Sequence, residues 1–165
     1  MITDKKILLV DDDIDVITIA ETILKHEGYQ VITASNKEEA LEKARSEKPD
    51  LAVLDVMMNT QFEGFELADM LKSDKSLNFP ILMQTSVDVL EATDADIAGL
   101  AREYRREMDN HDLDIILIED KQTGKAGVDY KNENNEIVWL EVDGFVKKPV
   151  NSKKLLPAIE KALKK

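Results

Sequence analysis

The reading of this chain turns on Pro49-Asp50-Leu51-Ala52-Val53-Leu54-Asp55, in which four apolar residues end on a single carboxylate. A run this short, apolar at every position, has the pattern of a parallel strand buried on both faces. Three more runs share the pattern. Ile7-Leu8-Leu9-Val10 ends in Asp11-Asp12-Asp13, Ile81-Leu82-Met83 leads to Thr85, and Phe145-Val146 leads to Lys147-Lys148-Pro149. In parallel sheets ligands bind beyond the carboxyl ends of the strands. The acids, the hydroxyl and the lysine all stand at such ends.

Helical patterns fill the intervals. Ile14, Ile17, Ala20, Ile23 and Leu24 recur at helical spacing, Gly28 supplies a left-handed stop, and a second strand is expected over 30–34. Ser35 with Glu38 has the form of a capping box, opening a helix through Ala40, Leu41 and Ala44 that ends before Pro49. Phe65, Leu67, Ala68 and Leu71 mark a third helix. Ile97, Leu100, Ala101, Tyr104 and Met108 mark a long fourth, with Thr93 or Asp94 as its cap. Ser152 is the expected cap of the last helix, which carries Leu155, Leu156, Ile159, Ala162 and Leu163, and Pro157 predicts a late start or a kink there. The alternation predicts an α/β fold, a doubly wound five-stranded parallel sheet with helices on both faces.

Thr85 and Lys148 lie 63 positions apart, whereas one helix and two loops need only about twenty residues. Part of the excess reads as strands, 113–118, 127–130 and 136–142, separated by the turn sequences Lys121-Gln122-Thr123-Gly124 and Glu133-Asn134-Asn135. A small antiparallel β insert is therefore expected before the fifth strand. The domain expectation is a single unit over 1–165, with 109–143 as the inserted β-rich segment. Only 17 residues follow Lys148, so no appended effector domain is expected.

With 22 Lys and Arg against 34 Asp and Glu, the net charge of -12 repels phosphate backbones and argues against direct nucleic-acid binding. A basic protein surface suits it better. The absence of cysteine removes disulfides, thiolate metal sites and cysteine nucleophiles. No run approaches the length of a membrane span and the N-terminus lacks an apolar signal core, so the expected location is cytoplasmic, without membrane contact.

Asp11, Asp12 and Asp55 brought together would repel one another unless a cation neutralised them, and a hard divalent ion such as Mg²⁺ is the natural partner. Asp55 is then placed to attack phosphorus as a carboxylate nucleophile. Lys148 and the ion would hold the phosphoryl oxygens, and Thr85 could donate its hydroxyl to one of them.

The ordered words Ile7 to Asp12, Pro49 to Met58, Gly64-Phe65-Glu66-Leu67, Pro80 to Ser86 and Phe145 to Pro149 resemble the receiver domain of bacterial two-component response regulators. The resemblance implies a flavodoxin-like fold in a stand-alone receiver whose Asp55 accepts phosphate from a histidine kinase or phosphotransfer protein. It implies that Asp12 binds Mg²⁺ directly, Asp11 through water, and that the Met57 carbonyl and Asp55 complete the protein ligands. Thr85 and Lys148 would form the switch pair, Phe145 the rotating aromatic, and Lys148-Pro149 a cis peptide. The chain would catalyse only its own phosphoryl transfer and a slow dephosphorylation, since Met57 and Val87 are apolar where water would enter. Its output would be contact with an unnamed protein target, with a homodimer among the arrangements allowed, and the insert would add or reshape a partner surface. Two departures stand out: Asn59 replaces the usual proline, and the step from Asp55 to Gly64 is one residue longer than its common form.

Blander readings compete. Asp11, Asp12 and Asp13 could simply cap a helix, a role that suits Asp13; Lys148 could be a surface lysine and Phe145 simple core. His26 and His111 read as solvated, Trp139 as the anchor of the insert's own core, and Glu119-Asp120 as a strand end at a solvated turn. A rival function is a haloacid-dehalogenase-type phosphatase with Asp11 as nucleophile, which would leave Asp55 without a task. A degenerate receiver that only binds partners is the third.

Overall fold

The computed structural model describes residues 4–56, 58, 63–93, 96–107 and 115–164. Expectations that rest on Met57, Asn59, Asp94, Met108, His111 and Leu113 lie outside them. In chain order the elements are β1 Lys6–Val10, α1 Ile14–His26, β2 Gln30–Ala34, α2 Lys37–Glu47, β3 Leu51–Asp55, α3 Glu63–Ser73, β4 Ile81–Thr85 and β5 Val89–Ala92. They continue with α4 Ile97–Glu107, β6 Ile115–Asp120, β7 Ala126–Lys131, β8 Ile137–Val142, β9 Gly144–Lys147 and α5 Ser152–Leu163.

The first sheet has the order β2-β1-β3-β4-β9 with every pair parallel. This is the expected doubly wound arrangement. Strand alternation divides its residues between two cores: Ile7, Leu9, Leu51, Val53, Leu82 and Val146 pack with α1 and α5, while Leu8, Val10, Ala52, Leu54, Ile81 and Met83 pack with α2 and α3. Both faces are dry, which is why these runs carry no polar alternation.

The second sheet has the order β5-β6-β7-β8. Its β6-β7-β8 meander is antiparallel, as expected of the insert, but the fourth strand was not foreseen: β5 follows β4 after three residues and pairs parallel to β6. Val89-Leu90-Glu91-Ala92 is too short to announce itself. Nor did the sequence place the sheet. Leu117, Ala126, Val128, Tyr130, Leu140 and Val142 join the same core as α2 and α3, whereas Ile116 and Ile118 point the other way, toward Ile97 and Ala101 of α4. The insert thus lies over the first sheet, and α4 packs on the outer face of the insert.

Two further contacts among the described residues hold that outer layer. Trp139 packs against the α4 cluster, as the anchor of the insert should, and its ring lies over Gly127, where a Cβ would overlap it. Arg105 of α4 donates from Nε to Asp129 Oδ1 at 2.9 Å and from its terminal nitrogen to the Asp129 carbonyl at 3.3 Å.

Helix ends were read nearly right. Asp13 caps α1, accepting from Asp15 N–H, and the Gly28 stop is a Schellman turn in which Tyr29 N–H donates to Leu24 O at 3.0 Å. The α2 cap is Asn36, one residue later than Ser35; Glu39, not Glu38, reaches back to the Ser35 N–H. Asn151, not Ser152, caps α5, and Asp96 accepts from Gly99 N–H where Thr93 or Asp94 was expected to cap α4. An amide oxygen reaches the third N–H as well as a hydroxyl does, so adjacent Ser and Asn are hard to rank. Pro157 is accommodated inside α5, which is helical from Ser152. No helix among the described residues is long and apolar enough to cross a membrane.

Candidate functional site

Five of the expected site residues gather at the carboxyl end of the first sheet. Asp55 closes β3, Asp11 and Asp12 follow β1, Thr85 closes β4, and Lys148 follows β9. Asp11, Asp55 and Thr85 are buried and Asp12 is exposed. Oxygens of Asp11, Asp12 and Asp55 lie within 4.8 Å of one another. Met57 falls outside the described residues.

Lys148 spans the group. Its Nζ donates to Asp55 Oδ1 at 3.2 Å and stands 3.3 Å from Asp11 Oδ2. Burial works against the Lys148 charge, but the carboxylates of Asp55 and Asp11 outweigh it and hold its pKa above the ordinary lysine value. It is thus a pocket cation, not a surface lysine. The Lys148-Pro149 peptide is cis, as expected.

Thr85 and Lys148 are tied through the backbone, Lys148 N–H donating to the Thr85 carbonyl at 2.8 Å. Thr85 Oγ1 accepts from Val87 N–H at 2.9 Å, which leaves its own proton for an acceptor in the pocket. Lys147, next to Lys148, pairs with Asp88 in the three-residue link from β4 to β5. Phe145 is half-buried against the shared core.

An observation favours a cation here. Asp11 is 3% exposed; Oδ1 accepts from Asp13 N–H at 2.9 Å, while buried Oδ2 has, among the described residues, no hydrogen-bond donor and only the Lys148 ammonium 3.3 Å away as a charge partner. A buried carboxylate oxygen left this way fits a hard divalent ion, and exposed Asp12 leaves room for its waters.

Sequence reasoning missed two features. Gly64 sits in the first turn of α3 with space for no side chain: a Cβ there would overlap the carbonyl oxygens of Asp55 and Val56. Gln84 is a buried amide beside Asp55 in strand register, and its signal was a polar residue inside an otherwise apolar run. Glu119-Asp120 ends β6 as expected, but Asp120 is buried, accepting from the N–H groups of Gln122 and Thr123.

Glu119 is half-buried in a groove with Lys121, Phe145 and Lys161, and desolvation raises its carboxyl pKa above the ordinary value, only partly offset by Lys121. A raised acid pKa means the folded state holds the proton more tightly, so the cost of ionising Glu119 is complete above that pKa and absent well below the unfolded value. Glu119→Gln should therefore raise the melting temperature at pH 7, with the gain vanishing below the ordinary glutamate value of 4.5. Melting curves of both proteins across pH check this.

A doubly wound sheet with an acidic cluster, a hydroxyl and a lysine at its carboxyl edge defines a class, and the profile of the Response regulator receiver domain matches residues 7–104. The chain belongs to the response regulator receiver family. Among relatives, it is 52% identical over 85 residues to the alkaline phosphatase synthesis transcriptional regulatory protein PhoP of Bacillus subtilis, a match covering 52% of this chain and 35% of that one. The probable transcriptional regulator ycf27 of Pyropia yezoensis is 36% identical over 160 residues, 92% of this chain and 60% of its own. The chain thus spans less than two thirds of the length of these relatives. The structure of the chemotaxis response regulator CheY4 of Vibrio cholerae aligns with a TM-score of 0.60 at 26% identity, covering 97% of this chain and 99% of that one. A response regulator structure from Chloroflexus aurantiacus shares the fold with a TM-score of 0.62 at 21% identity, covering 99% and 100%.

Proposed function

We propose that the chain is a phosphoacceptor that signals by protein contact. An Asp55 carboxylate oxygen attacks the phosphorus of a phosphohistidine on a histidine kinase or phosphotransfer protein; the P–N bond breaks and its electron pair stays with the imidazole. Lys148, held protonated, meets the incoming charge and keeps Asp55 oriented. Thr85 donates its hydroxyl to a phosphoryl oxygen, drawing in the link that leads to β5. Asp11, Asp12 and Asp55, with the Met57 carbonyl, are the residues that would hold Mg²⁺, which when bound supplies electrostatic stabilisation of phosphoryl oxygens. The observation that carries the reading is the Lys148 bridge to both Asp55 and Asp11 across three converging carboxylates.

On this reading the chain is no enzyme toward outside substrates, and it acts in the cytoplasm on a protein target. The rival hydrolase needs Glu119-Asp120 in the same pocket, yet these close β6 in the second sheet and Asp120 is taken up by its own turn. Incubation with acetyl phosphate and Mg²⁺ should add one phosphoryl group by intact mass, and Asp55→Asn should abolish the addition. The phosphoryl half-life should far exceed seconds. Turnover of a phosphate ester that survives Asp55→Asn would establish the hydrolase instead.

A further inference from the structure

Gln84 is the polar residue of β4 that the phosphoacceptor chemistry leaves unused. It is 3% exposed, and its Nε2 finds no hydrogen-bond partner. Buried donors without partners are rare and call for an explanation. Its position supplies one. Gln84 pairs in register with Asp55 on one side and with Val146 on the other, and register partners in a parallel sheet point to the same face. Because β4 lies between β3 and β9, the Lys148 side chain must cross β4 to reach Asp55 Oδ1. Gln84 shares the face of Leu82 and Val146, and Val146 stands two residues before Lys148, so the Gln84 side chain belongs to the face from which the β9 end approaches Asp55.

In the unphosphorylated chain the amide therefore stands beside Asp55 with its N–H groups unspent. A phosphoryl group on Asp55 brings three strong acceptor oxygens into that space. We infer that Gln84 is a positioning residue for the loaded state: its Nε2 donates within the pocket once Asp55 carries a phosphoryl group, so that a penalty borne by the free protein is relieved on loading. The inference rests on the phosphoacceptor reading and deepens it. Gln84 joins Thr85 as an adjacent β4 donor, one serving each face of the strand.

Beryllofluoride with Mg²⁺, a mimic of an acyl phosphate, gives the test on the whole chain, using Gln84→Met and Gln84→Leu, which keep the volume and remove the donor. The free variants should melt at or above the wild-type temperature, because no partner is lost. They should bind beryllofluoride at least ~10-fold more weakly, the value of one hydrogen bond to a charged group. A structural role alone would move melting and leave affinity alone. Wild-type affinity in both variants overturns the assignment, as does a lower melting temperature in both free variants, which would show the amide already partnered. If the wild type itself shows no response, the phosphoacceptor reading falls and takes Gln84 with it; if only the variants match the wild type, the reading stands.

Discussion

Gly64→Ala is expected to lower stability by about 3 kcal/mol or more, the upper end of overpacking costs, because the atoms it meets are backbone. The first turn of α3 rests against the end of β3, and the added Cβ would overlap the Asp55 and Val56 carbonyl oxygens and lie 2.9 Å from the Val56 carbonyl carbon. Side chains can swing aside; a peptide unit in a sheet cannot. The helix would have to lift, drawing fully buried Phe65 from its stack on Tyr130, where the ring centroids are 4.7 Å apart. Asp55 would shift with it, so urea unfolding and Mg²⁺ affinity should both suffer. A loss below about 1 kcal/mol, the ordinary effect of a point mutation, would show that the close approach is not there.

Arg105→Leu comes next in size, at about 3 to 5 kcal/mol, because it strands the charge of Asp129 in the insert. Asp129 is 1% exposed, and Arg105 serves both its carboxylate and its carbonyl. The double variant Arg105→Leu with Asp129→Leu should recover most of the loss, since an apolar pair needs no neutralising partner. Chemical unfolding of the two singles and the double forms a closed cycle; equal losses in the single and the double would mean that the helix contact, not the stranded charge, carries the cost.

The first sheet was legible because its strands are buried on both faces. That condition forces continuous apolar runs and leaves the chemistry only at their ends, where Asp11, Asp12, Asp55, Thr85 and Lys148 stand. The caps slipped by a residue wherever Ser and Asn are neighbours. The β-meander of the insert was legible through its turns, but β5 was not, since four residues carry no period and its partner β6 comes more than twenty residues later.

What the sequence alone determined was which runs are buried strands of a parallel sheet and the identity of the residues at their carboxyl ends, because burial on both faces is a local constraint written into each run. Tertiary structure alone decided where the insert lies. Alternating residues of β6 are apolar on both sides, which fits a sheet covered twice, but which neighbours cover it depends on distant surfaces. In the fold it takes the face of the first sheet beside α3 and carries α4 on its own back. Tertiary structure also set the unpartnered amide of Gln84 beside Asp55, a juxtaposition fixed by the register between β3 and β4 and visible in neither strand by itself.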